Sequence, residues 1–360
     1  MNRNIWTVSL AVFTMFFGAG NMTLPLLLSQ TWPNNWFIAF IGFCVTGVLV
    51  TFIGLIGGVI SSTTKEFFAP LGLTFGFIVQ AVLICIEGPF GVVPRCLIVA
   101  YGGVESIFPE MSRLVFYTIS AILLFFLILN RGKLVKIIGN YMTPVMLSLL
   151  ALIVLIVMYQ NRNVGININY GFDSNAFKDG FLKGYLTYDL PGAIYFTTIA
   201  MSYLKSLGQS KKVMIVNGLK ASAISSILLI IVYALFFYIG SHYTEELRGI
   251  SPTQLLPTIV KLSCGKILAG IFAAVIFLAC ITTAVAALTI WTDFIYNIFK
   301  RYNIKYDVIL FISIILTIIV SNLEFIGLMN LLLPVLSIMY PFLIILSLYN
   351  IVTKYKNNHE

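Results

Sequence analysis

Thr282 and Thr283 stand side by side in a long apolar run, one turn after Ala279. Two hydroxyls and the Ala279 carbonyl are hard oxygen ligands, the donor type that suits an alkali cation. On their own, such threonines equally well hydrogen-bond the backbone of their own helix. A cation would need a further oxygen, and the first apolar run can offer a main-chain carbonyl. There Phe16-Phe17-Gly18-Ala19-Gly20-Asn21, followed by Pro25, makes poor continuous helix. Unpaired backbone groups are costly in lipid, so this break is either a packing kink or the lining of a cavity. The sixth run carries a second break, Gly184-Tyr185-Leu186-Thr187-Tyr188-Asp189-Leu190-Pro191-Gly192-Ala193, with an intramembrane Asp before Pro-Gly. Glu87 and Arg95 lie in the third run, eight residues apart or roughly 12 Å along a helix. Pro89 and Pro94 distort that spacing, so a direct Glu87–Arg95 pair is not expected. Charge inside a membrane faces a cavity or another charge. Arg95 therefore either holds broken backbone in place, as a structural or gating group that can pair with Asp189, or binds a substrate carboxylate.

The elements that carry these residues follow from composition. Of 360 residues, 59% are hydrophobic and 10% charged, and the mean hydropathy is +0.99. A soluble domain does not have this composition. Apolar stretches of roughly 18 to 25 residues follow one another almost without pause. We read ten spans, at about 5–30, 36–60, 70–101, 113–130, 135–159, 180–204, 213–240, 263–299, 306–322 and 325–352. The chain is thus an all-α polytopic membrane protein, a single transmembrane domain over 1–360. One set of loops carries Arg3, Lys65, Arg131, Lys133, Lys136, Lys205, Lys211, Lys212, Lys300, Arg301, Lys305, Lys354 and Lys356. The other set has fewer basic residues, Arg113, Arg162, Lys178, Lys183, Arg248, Lys261 and Lys266, diluted by acids. The positive-inside rule then puts both termini in the cytoplasm. The loop from Tyr243 to Leu262, with Pro252 and Pro257, reads either as a short helix packed over the outer face or as a plain connector.

Ten spans divide into five plus five, with halves at about 1–160 and 161–360. Because five is odd, the second half is inverted relative to the first. The first span of each half is broken at comparable depth, and inverted repeats place substrate between the halves. This favours a transporter over a kink. A passive channel calls for a continuous polar pore, which the sequence does not offer. A non-transporting sensor calls for an output domain. A membrane enzyme calls for a spaced His, Asp or Ser constellation, and none is present. Cys44, Cys85, Cys96, Cys264 and Cys280 are scattered without metal-like spacing, and His242 and His359 fall outside the spans. Basic residues dispersed over short loops argue against nucleic acid. The aromatic residues, by default, pack or face lipid. Arg3 before an apolar run resembles a signal peptide, but we read a retained first span.

The same residues resemble the bacterial branched-chain amino acid carriers, a cation symporter family of the amino acid–polyamine–cation superfamily. Phe16 to Asn21 with Leu24-Pro25 is similar to their first-span signature. Gly88-Pro89-Phe90 with Pro94-Arg95 resembles the third, and Gly180 to Asp189 the sixth. Ala279-Cys280 with Thr282 to Val285 resembles the eighth, Val320 to Leu323 the ninth, and Pro334 to Leu336 with Tyr340-Pro341 the tenth. The resemblance implies import of leucine, isoleucine and valine across a bacterial plasma membrane. Sodium, or a proton, would be the coupling ion, with no covalent cofactor. It implies the five-plus-five inverted repeat with broken first and sixth spans. The carbonyls of Thr14, Phe17 and Ala279, with Thr282 and Thr283, would bind the cation. Ala19, Gly20 and Asn21 would receive the substrate carboxylate, and backbone near Asp189, Leu190 and Gly192 its ammonium group. Family members commonly have about twelve spans; the resemblance implies that the ten counted here suffice for transport. Glu87 stands where members are usually uncharged, and Met22-Thr23 where they have larger apolar residues. Either departure bears on substrate range or coupling ion, and a buried Glu87 could relay protons.

Overall fold

The computed structural model describes residues 3–129, 143–160 and 171–357. The expected start of the fifth span at 135, and the basic residues Arg131, Lys133, Lys136 and Arg162, lie outside these. Backbone in lipid has to satisfy its own polar groups, and the described residues do so as helices alone. The helices are α1 (Arg3–Phe16), α2 (Ala19–Thr31), α3 (Trp36–Ser61), α4 (Leu73–Glu87), α5 (Val92–Glu105) and α6 (Arg113–Leu129). They continue with α7 (Thr143–Gln160), α8 (Ser174–Tyr185), α9 (Asp189–Ser206), α10 (Lys211–His242) and α11 (Leu255–Phe299). Last come α12 (Tyr306–Ser321) and α13 (Glu324–Asn357).

Among the described residues, pairing α1 with α2, α4 with α5 and α8 with α9 leaves ten segments that fall on the expected spans, the fifth from Thr143 onward. The axis turns by 62° between α1 and α2. The third span, read over 70–101 with its geometry distorted by Pro89 and Pro94, is two helices. It parts between Glu87 and Val92, where Pro89 lacks an amide and Gly88 and Gly91 flank it. Pro94 sits in the first turn of α5, where a missing N–H costs nothing. The sixth span parts one turn earlier than Asp189-Pro191-Gly192. The break is Leu186–Tyr188, with Tyr188 left-handed at φ 63°, and Asp189 opens α9. Pro191, like Pro94, is tolerated in a first turn. The 243–262 segment does form a helix. α11 begins at Leu255 and bends at Gly265, whose φ of 78° suits only glycine. Leu255, Leu256, Ile259 and Val260 are buried, so this outer turn is packed rather than free.

α1, α2, α5, α9 and the middle of α11 form the interior, with α5 against α11 and α1 and α2 against α10. A π-bulge at Val45–Leu49 in α3 lies beside α8, and the Thr46 hydroxyl donates to the Phe181 carbonyl at 2.7 Å. Ile119, Phe126, Ile319 and Ile338 project outward, where lipid is their solvent.

Candidate functional site

The α1/α2 break leaves carbonyls bare. In a continuous helix the amide of Gly18 would serve Thr14, that of Ala19 would serve Met15, and that of Asn21 would serve Phe17. Instead the Gly18 amide turns back to the Phe16 carbonyl at 2.6 Å, and none of the other bonds forms. The carbonyls of Thr14 and Met15 receive only the Thr283 hydroxyl, at 3.4 Å each. That is the long limit of a hydrogen bond. Gly18 permits this approach, because any side chain there would press on Thr283. Thr282 donates to the Ala279 carbonyl at 2.8 Å. Thr14, Ala279 and Thr282 also line a cavity of about 240 Å³ that reaches Val145 and Met146 of α7. All five residues expected to hold a cation are buried, and the structure brings Thr14, Ala279, Thr282 and Thr283 together at the junction of α1 and α11. The Phe17 side chain points away and stacks on Phe13 at 5.2 Å, so only its carbonyl can serve.

The α8/α9 break leaves carbonyls of the opposite kind, bare by sequence but already filled. Pro191 has no amide for the Thr187 carbonyl, four residues earlier. The Leu190 amide turns to the Tyr340 hydroxyl at 3.4 Å instead of the Leu186 carbonyl. Arg95 of α5 fills both vacancies. Its Nη1 donates to the Leu186 carbonyl, and its Nη2 to that of Thr187 at 2.9 Å. The guanidinium carbon stands 3.9 Å from the centre of the Tyr188 ring, a cation–π contact. Its other face rests on the α2 entrance: a Cβ on Gly20 would lie 2.6 to 2.8 Å from guanidinium atoms. The possible pairing of Arg95 with Asp189 is thus not formed. The carbonyls had no other donor, and Asp189 is satisfied elsewhere.

Asp189 Oδ2 accepts from Asn21 Nδ2 at 2.7 Å and from the Tyr233 hydroxyl at 3.3 Å. Asn21 Nδ2 also reaches the Tyr233 oxygen. One side chain from each break is therefore locked to the other through α10. Gly192 closes the first turn of α9, its amide bonded to the Tyr188 carbonyl at 3.1 Å. Glu87 is buried at the end of α4 near Gly192, and its Oε1 has no hydrogen-bond partner among the described residues. Met15, Phe16, Ala19, Asn21, Glu87, Val92, Arg95, Tyr188, Asp189 and Phe196 surround a cavity of only about 10 Å³. That is room for about one water. Ala19, Gly20 and Asn21 form the first turn of α2, with no main-chain acceptor for their amides. The sequence places Leu186, Thr187 and Tyr188 in the break without giving them a role, and leaves Tyr233 unassigned. Pro191 is the signal that marks the Thr187 carbonyl, and a mid-span tyrosine marks a hydroxyl in need of a partner.

The branched-chain amino acid transport protein family matches residues 1–360. The branched-chain amino acid permease BrnQ of Bacillus subtilis (strain 168) is 32% identical over 346 residues, covering 93% of this chain and 78% of that protein. A solved Na+-coupled sialic acid symporter, substrate-bound and outward-open, superposes with a TM-score of 0.62 at 13% identity, over 96% of this chain and 78% of the other. MhsT in complex with L-phenylalanine gives 0.57 at 13% identity, over 92% and 79%. At such identities the likeness carries the fold alone, an inverted repeat of five plus five spans with the first and sixth broken. This is a multi-pass membrane transporter and not an enzyme. The chain belongs to the branched-chain amino acid transport protein family.

Proposed function

We propose that the chain is a secondary symporter that imports leucine, isoleucine and valine, driven by an inward sodium gradient. The observation that carries the ion is the weakly satisfied carbonyl of Thr14, reached only by Thr283 at 3.4 Å, beside Ala279 and Thr282 at the α1/α11 junction, with the Phe17 carbonyl also without a helical donor. Oxygen donors in this number and of this hardness suit sodium. Sodium there would draw α1 onto α11 and set the α2 entrance. The substrate carboxylate would then meet the amides of Ala19, Gly20 and Asn21, at the positive end of α2. Its ammonium group would meet the sixth-span backbone around Asp189, Leu190 and Gly192, where the carbonyls without helical donors are those of Leu186 and Thr187. Phe16, Val92 and Phe196 supply an apolar wall for an aliphatic side chain. Such a wall discriminates one methylene by only about 1–3 kcal/mol, so methionine should compete weakly. Binding linkage is reciprocal: sodium tightens leucine, and leucine tightens sodium.

The buried, unpartnered Glu87 oxygen favours a second reading, in which a proton is the coupling ion. In either case the chain works as one transmembrane domain in the bacterial plasma membrane. The basic loop residues support both termini in the cytoplasm, and the corresponding breaks of the first and sixth spans support halves at about 1–160 and 161–360. Uptake of labelled leucine into proteoliposomes tests this. Accumulation above equilibrium under a sodium gradient, absent under a proton gradient alone, is expected. Uptake that never exceeds equilibrium under either gradient overturns symport.

A further inference from the structure

Arg95 occupies the place where a substrate amine would bind. Its guanidinium donates to the two carbonyls that the sixth-span break leaves without helical donors. It also lies against Gly20, at the amide-rich entrance of α2. With Arg95 seated, the space between the breaks is about 10 Å³, too small for any amino acid. A hydrogen-bond donor is required at these carbonyls, because bare carbonyls in a dry interior are costly, and both a guanidinium and an ammonium can supply one. A substrate ammonium and Arg95 are therefore alternatives for one acceptor pair.

We propose that Arg95 is a tethered stand-in for the substrate's ammonium group: it seals the empty carrier and is displaced when an amino acid arrives. This rests on the reading of the protein as an amino acid symporter. A symporter has to return empty after each delivery, and an empty sixth-span break would oppose closure around the vacant site. The guanidinium satisfies that break on the return. On loading, it moves to the Glu87 carboxylate, which lines the same cavity and has an oxygen with no other partner. Its own Nε, also unpartnered in the seated position, gains an acceptor there. A fixed brace would behave differently. Arg95 as a brace, or as a ligand of the substrate carboxylate, would weaken leucine binding when removed. Arg95 as a competitor strengthens it.

The experiment compares wild type, Arg95→Ala and Arg95→Lys for binding of labelled leucine in saturating sodium. It also measures net uptake and leucine–leucine exchange in proteoliposomes. Arg95→Ala should bind leucine about tenfold more tightly, because no internal cation has to be displaced. Net uptake should fall at least about tenfold while exchange, which skips the empty return, is retained. Arg95→Lys offers a point charge that cannot bridge both carbonyls, and should tighten binding by about threefold. If the alanine variant does not fold, the lysine variant reads the same quantity. Unchanged or weaker leucine binding in the folded variant overturns the proposal, as does equal loss of uptake and exchange. Failure of the wild type itself to bind leucine overturns the symporter reading and is told apart by that fact.

Discussion

The two breaks share a design and differ in what completes them. At the first, the carbonyls of Thr14 and Met15 are touched by one hydroxyl at 3.4 Å. At the sixth, the carbonyls of Leu186 and Thr187 are bonded by a guanidinium from within the protein. On the proposed reading the first is left for a diffusible cation, whereas the sixth is held by a covalently attached one. Local chemistry explains the split. Gly18 admits only a threonine hydroxyl at the first break, whereas Pro191 and the Leu190–Tyr340 contact strip two adjacent carbonyls at the sixth. A weakly satisfied site can exchange its ion at low cost; a fully satisfied one has to be opened by competition.

Gly20→Val should break both sites at once and has the largest expected effect. Gly20 is where the two regions meet, since its α-carbon hydrogen faces the guanidinium that closes the sixth break. Even a Cβ forces Arg95 off its carbonyls. Leucine uptake should fall by more than about a hundredfold, with the protein still eluting as a folded species on gel filtration. Uptake above a tenth of wild type would mean that Arg95 does not need its seat against Gly20.

The comparison also orders the two threonines. Thr283 touches the first-break carbonyls directly, whereas Thr282 spends its hydroxyl on Ala279 in its own helix. Thr283→Val should therefore raise the sodium concentration for half-maximal uptake by about tenfold, and Thr282→Val by about threefold. Leucine affinity at saturating sodium should stay near wild type. Unchanged sodium dependence in both would remove the threonines from the ion site. A leucine defect without a sodium defect would move them to the sixth-break system.

Much of this was legible in the chain. Glycines and Pro25 in an apolar run mark the first break, and Pro89 and Pro191 mark the other interruptions within a turn. Proline and glycine act through local backbone chemistry, which sequence records. The partner of Arg95 was not legible. Sequence left Asp189 as a candidate, but Asn21 and Tyr233 had already satisfied that carboxylate. Which acceptor a long side chain reaches is decided by the packing of α5 against α2 and α9, and spacing does not encode it. Tyr233 was hidden for the same reason: in a run of apolar residues, a buried tyrosine declares a polar need without naming its partner.

Tyr233→Phe probes the contact that joins the two regions, and its expected effect is the smallest. The ring should stay where it packs edge-on against Phe43, with centroids 5.1 Å apart. Only the hydroxyl between Asn21 and Asp189 is lost, and the direct Asn21–Asp189 bond at 2.7 Å remains. One net hydrogen bond is worth about 1 kcal/mol, or about fivefold in an equilibrium constant. If the breaks act as separate sites, leucine affinity falls by about that factor. The sodium concentration for half-maximal binding, measured without leucine, then does not move. If instead the factor by which sodium tightens leucine shrinks, and the factor by which leucine tightens sodium shrinks equally, the hydroxyl carries coupling between the sites, since linkage is reciprocal. The open break and the filled one would then be two ends of a single switch. The line between them would run through Asn21, Tyr233 and Asp189 and not through the backbone.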